Sequence, residues 1–113
     1  MDSVEQFRNE PAWTPAEKKT ARKAFDKAFE RHSASIMAEA KRMMANAKAP
    51  CDIWRVHDYL SKHRSTVDRI YDYRYSVLLN VFARLLREGW LTEADLTGLQ
   101  REKIKDIVSL ANL

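Results

Sequence analysis

The sequence predicts an all-α domain, a long N-terminal helix carrying several shorter ones, and three observations lead there. Only two glycines and three prolines occur among 113 residues, so few positions punctuate the chain. No run alternates β-branched with polar residues, which leaves strands without support. Finally, a hydroxyl followed three residues later by a carboxylate, the spacing that satisfies the first amides of a helix, recurs at Thr14/Glu17, Ser65/Asp68 and Thr92/Asp95.

Residues 1–13 mix charges, Asn, Gln and Pro without periodicity. They read as a flexible N-terminal arm anchored by Trp13, and residues 14–113 as a single helical domain. Thr14 supplies an N-cap hydroxyl, Pro15 the first helical position and Glu17 the reciprocal carboxylate, so the first helix starts here. From Pro15 to about Lys48 helix formers dominate without a break, roughly 50 Å of helix at 1.5 Å per residue. Its residues Phe25, Phe29, Ile36, Ala40, Met43 and Ala47, with His32 as the odd member, step by threes and fours like a packed seam. A domain of this length has a radius of gyration on the order of 13 Å, so part of that seam stays wet in a lone chain. A compact helical domain that forms a homodimer is therefore expected.

Asn46 to Pro50 breaks the pattern. Asp52 as N-cap opens a second helix to about His63, with Ile53, Val56 and Leu60 in a core stripe and Trp54, His57, Asp58 and Ser61 on another face. A third helix is expected from about Thr66, its broad apolar face running Ile70, Tyr71, Val77, Leu78, Val81, Phe82, Leu85 and Leu86 until Gly89 ends it. A last helix begins near Thr92 and bends at Gly98.

Composition narrows the function. The net charge is +4, and between Glu17 and Lys48 nine Lys or Arg face four acids, a surplus that favours acidic partners. A single Cys51 allows no internal disulfide, the first residues hold no apolar signal region, and no stretch of 18 apolar residues occurs. A soluble cytoplasmic protein with no transmembrane segment is expected. Two glycines are too few and too far apart to cradle a phosphate. Cys51 and His57 lack a third catalytic member, and His57 and His63, beside Asp58, do not share a helical face as metal ligands would. No catalytic residue, metal or cofactor is expected. Lys18, Lys19, Arg22, Lys23 and Lys27, with Arg69 and Arg74 among tyrosines, raise nucleic-acid binding, but interleaved Glu17, Asp26 and Glu30 make a solvated face the simpler reading. Trp54 and Arg64 are residue types that carry binding energy at protein interfaces, and Asp58 can hold Arg64 within a chain or across a dimer. Alternatively Trp54 fills the core and Asp58 pairs with Arg55 or Lys62. The residues alone leave both open.

The run Asp52-Ile53-Trp54-x-x-His57-Asp58-Tyr59-Leu60-Ser61-x-x-Arg64-x-x-x-Asp68-x-x-Tyr71-Asp72-x-Arg74-x-Ser76-Val77, followed by Val81-Phe82-Ala83-x-Leu85-Leu86-x-Glu88-Gly89, resembles the fluorescence recovery protein family of cyanobacteria. That resemblance implies an all-helical homodimer that binds the C-terminal domain of the photoactivated orange carotenoid protein, or a related protein. It implies faster return of that partner to its resting form and detachment from the phycobilisome, with a place at the thylakoid membrane surface if the source is a cyanobacterium. It further implies that Trp54, His57, Asp58 and Arg64 form the active polar patch, that Ile53, Trp54, Asp58 and Arg64 meet the second copy, and that the position of Asn80 touches the carotenoid protein. Asn80 stands where a bulky aromatic is expected, and Tyr73 and Tyr75 replace smaller or polar residues. These departures favour, as the second reading, a diverged relative with a different protein partner.

Overall fold

The computed structural model describes residues 12–113; of the arm expected over residues 1–13, all but Ala12 and Trp13 lies outside them. Four α-helices and one short 3-10 turn make up the fold, and no β-strand occurs among the described residues: α1 Pro15–Ala45, α2 Pro50–Ile70, α3 Leu78–Arg87, the 3-10 turn Glu93–Leu96, and α4 Arg101–Ala111. At α1 the cap is as expected. Thr14 Oγ1 accepts from Glu17 N at 3.1 Å, and Glu17 Oε1 accepts from Thr14 N at 3.2 Å.

Two parts result. In the head, the first half of α1 presents Ala21, Ala24, Phe25 and Ala28 to Ile70, Leu78, Phe82, Leu85, Leu91, Leu96, Leu99 and Ile107, all buried. The alanines let the 3-10 turn approach α1 closely, while α3 packs mainly on α4. Turns close the head where glycine is required. Gly89 at φ +87° completes a Schellman motif in which Trp90 N donates to Leu85 O at 2.9 Å and Gly89 N to Leu86 O at 3.2 Å. At Gly98, φ +117°, a Cβ would lie 2.6 Å from Thr20 Oγ1, so the turn rests directly on α1.

In the other part, the stalk, the second half of α1 pairs only with α2, which folds back antiparallel so that Phe29 lies near Val67 and Ala40 near Leu60. His32 is the last buried residue of α1. The chain measures 65 × 27 × 26 Å with a radius of gyration of 17.9 Å, well above the ~13 Å of a compact domain this long.

A buried ion pair ties the start of α1 to α4. Lys103 Nζ donates to Glu17 Oε1 at 3.0 Å and to the Ala12 carbonyl at 2.6 Å, while Gln100 N donates to Glu17 Oε2 at 2.8 Å. Trp13 packs on the core beneath the Lys103 ammonium, 4.9 Å from its ring centre.

Several sequence-based expectations are corrected. The second and third predicted helices are one through Ser61–Ser65, because no Gly or Pro interrupts them and Thr66 Oγ1 donates back to Lys62 O at 3.2 Å instead of capping a new helix. Asp52 is not the N-cap but the third helical residue, its Oδ2 accepting from Lys48 N and Ala49 N at 2.9 Å each. Tyr71 to Val77 is irregular chain, so the expected third-helix face begins only at Leu78. At Thr92 the helix is a single 3-10 turn, and the last helix starts afresh at Arg101 beyond Gly98. Of the proposed core stripe on α2, Val56 is buried, but Ile53 is 52% and Leu60 42% exposed.

Candidate functional site

α2 places the candidate residues. Pro50 opens it and the Asp52 carboxylate, held below the usual range by the Lys48 and Ala49 amides, accepts backbone donors the helix leaves unpaired. Val56 and Ile70 anchor one face. The opposite faces are therefore free, and along them Trp54 is 65% exposed and the Arg64 side chain 83%. Trp54 meets the His57 ring edge-on at 6.2 Å, and His57 Nδ1 lies 3.5 Å from Asp58 Oδ1.

Within the chain, Asp58 does not hold Arg64. Six residues at 100° each set their side chains about 120° apart and some 9 Å along the axis, and Arg64 Nε instead lies 3.7 Å from Asp68 Oδ2. Trp54, His57 and Asp58 thus form one exposed cluster, with Ile53 beside it. Asn80 is exposed on the first turn of α3, in the head rather than on the stalk.

Sequence reasoning passed over what Arg64 borders. An apolar groove of about 530 Å³ runs between the stalk helices, walled by Phe29, Ile36, Met37 and Ala40 of α1 and by Leu60 and Val67 of α2, with Arg64 and Asp68 at its edge. On α2 the exposed or half-exposed residues Ile53, His57, Leu60, Arg64 and Val67 recur at alternating steps of four and three. That is the spacing of a second packing stripe, legible in the sequence but hidden there by the assumption that Ile53 and Leu60 face inward.

A family model described as the photoprotection regulator fluorescence recovery protein matches residues 13–111. The chain belongs to the fluorescence recovery protein family. The fluorescence recovery protein of Synechocystis sp. is 36% identical over 104 residues, covering 92% of this chain and 95% of that protein. The solved structure of the Fremyella diplosiphon fluorescence recovery protein superimposes with a TM-score of 0.86 at 38% identity, and that of the Synechocystis protein with 0.86 at 36%; each comparison covers 90% of this chain and 100% of the other. The fluorescence recovery protein match takes in all four helices, the stalk groove and the Trp54 cluster. A role in regulating photoprotection comes with it. Among the described residues no helix is long and apolar enough to cross a membrane.

Proposed function

We propose that this protein is a non-enzymatic regulator, acting in the cytoplasm as a homodimer, that binds the C-terminal domain of the photoactivated orange carotenoid protein and speeds its return to the resting form, ending quenching. One observation carries the reading: of seven large apolar side chains exposed among the described residues, five (Met37, Met44, Ile53, Trp54 and Leu60) lie on the stalk and a sixth, Phe29, at its junction with the head. Patches of that kind mark sites where another protein sits. The groove beside Leu60 and Arg64 accepts the second copy, and Trp54, His57 and Asp58 orient the partner.

No covalent chemistry is needed. A regulator accelerates relaxation by binding structures along the return path more tightly than the activated starting state. Trp54 supplies buried area, and Arg64 and Asp58 supply directional charge. In the deciding experiment, photoactivated orange carotenoid protein is mixed with the chain and its colour recovery in darkness is timed. The wild-type chain should shorten recovery, and Arg64→Leu should lose most of that effect while its helical circular dichroism stays unchanged. Equal recovery with and without the wild-type chain would turn attention to a different protein partner, the reading that Asn80 on the head favours.

A further inference from the structure

We propose that His32 is a proton-operated coupler between head and stalk: a neutral imidazole clamps them together, and a protonated one loosens Trp90 and Tyr71 and lets the stalk shift against the head. The proposal stands whether or not the partner named above is the right one.

The placement of His32 carries the argument. It is the last buried residue of α1, 5% exposed, at the level where the head stops and the stalk begins. Its ring lies flat on the Trp90 indole, centroids 4.3 Å apart at 10°. Nδ1 is 3.0 Å from Tyr71 Oη, and that hydroxyl donates to the Ala28 carbonyl at 3.2 Å. Tyr71 is the C-cap of α2 and Trp90 closes the turn after α3, so one imidazole, itself on α1, touches both the end of the stalk helix α2 and a turn of the head. The neighbouring Arg31 reinforces the hub, donating to Trp90 O at 3.0 Å and Asp95 Oδ2 at 2.7 Å.

Because the Tyr71 proton goes to Ala28, the phenol oxygen accepts from Nδ1–H, and the proton taken up from solvent adds to Nε2. Little around the ring answers the new charge. Glu88, at the end of α3, is engaged by Arg84 at 2.9 Å; Asp95, beyond it, is engaged by Arg31; His63, on α2, adds like charge; and Tyr71 stays a neutral phenol, burial pushing its pKa up to about 12. Burial itself holds the imidazole below the ordinary histidine value. The Glu88 carboxylate and the indole face of Trp90 attract the cation against that burial, and the titration midpoint measures which influence wins.

The test uses the full chain. The His32 ring is titrated by proton NMR, assigned by its absence in His32→Gln, and the midpoint is expected below the roughly 6.5 of an unperturbed histidine. Spin labels on the native, exposed Cys51 of the stalk and on Ser109→Cys of α4, diluted with unlabelled chain, report the angle between the two parts. Their distance distribution should shift or broaden at pH 5 relative to pH 8. Trp90 emission in a Trp13→Phe, Trp54→Phe background should step at the same midpoint. Both changes should vanish in His32→Gln and persist in His57→Gln. If His32→Gln does not fold, the midpoint and label distances of the otherwise wild-type chain decide alone. A midpoint at or above 6.5, or label distances equal at both pH values, overturns the coupler, as does a step that survives in His32→Gln.

Discussion

Head and stalk are built from the same helix, yet they solve burial in opposite ways. The first half of α1 is enclosed by α3, the 3-10 turn and α4, and Phe82, Leu78, Leu85, Leu96 and Ile107 reach 0% exposure there. The second half has only α2 beside it. Two helices bury one stripe each, and the remaining apolar surface, from Phe29 to Met44 and from Ile53 to Leu60, stays in water. The contrast teaches that the head holds most of the buried core while the stalk leaves most of its apolar surface in water. Substitutions in the two parts should therefore fail in different ways.

The largest effect is expected from Phe82→Ala. Emptying a fully buried aromatic site costs about 3–5 kcal/mol, read as a shift of the urea midpoint; a loss under 1 kcal/mol would mean the head is not the stabilising half. Next comes Lys103→Met, which leaves the Glu17 carboxylate buried without its cation and should cost about 3 kcal/mol, while Glu17→Gln with Lys103→Met should recover part of it. Acid sharpens the same point. Burial pushes the Glu17 pKa up, but the Gln100 amide, Lys103 and the Thr14 amide outweigh it, and the Arg31 guanidinium holds Asp95 down at about 2. Both folded values lie below the unfolded ones, so this stability is present above roughly pH 4.5 and is lost as pH falls through the folded values. Thermal midpoints should decline from about pH 4.5 towards pH 2, and Arg31→Ala should flatten the lower end of that decline. Smallest in stability, and largest in assembly, is Ile53→Glu. At a half-exposed stalk position it should change monomer stability by no more than about 0.5 kcal/mol, yet give monomers in sedimentation, since a buried unpaired carboxylate is costly at an interface. An unchanged mass would remove the stalk from the dimer contact.

Much of this was legible beforehand, for local reasons. The Thr14–Glu17 cap, the uninterrupted run of helix formers and the stop at Gly89 each depend on neighbours within five residues, and each stands where expected. The errors share one cause. Ser65 to Asp68 has the spacing of a cap, but a cap forms only where the helix has already ended, and nothing ends α2 before the chain reaches the head at Ile70. Similarly, Ile53 and Leu60 were assigned inward because they are apolar, although their exposure depends on how many helices lie alongside α2. Glu17 reads in the sequence as a cap on a solvated face, yet it is 2% exposed and accepts from Gln100 N, 83 residues away.

What the residues determined unaided was the helical class and the long first helix; whether Trp54 and Arg64 face a core or solvent they left open. Tertiary structure alone decided that Arg64 edges a groove, that His32 spans three segments, and that Lys103 closes on Glu17. Periodicity registers a side chain's own helix, whereas burial and pairing are set by segments that arrive from elsewhere in the chain.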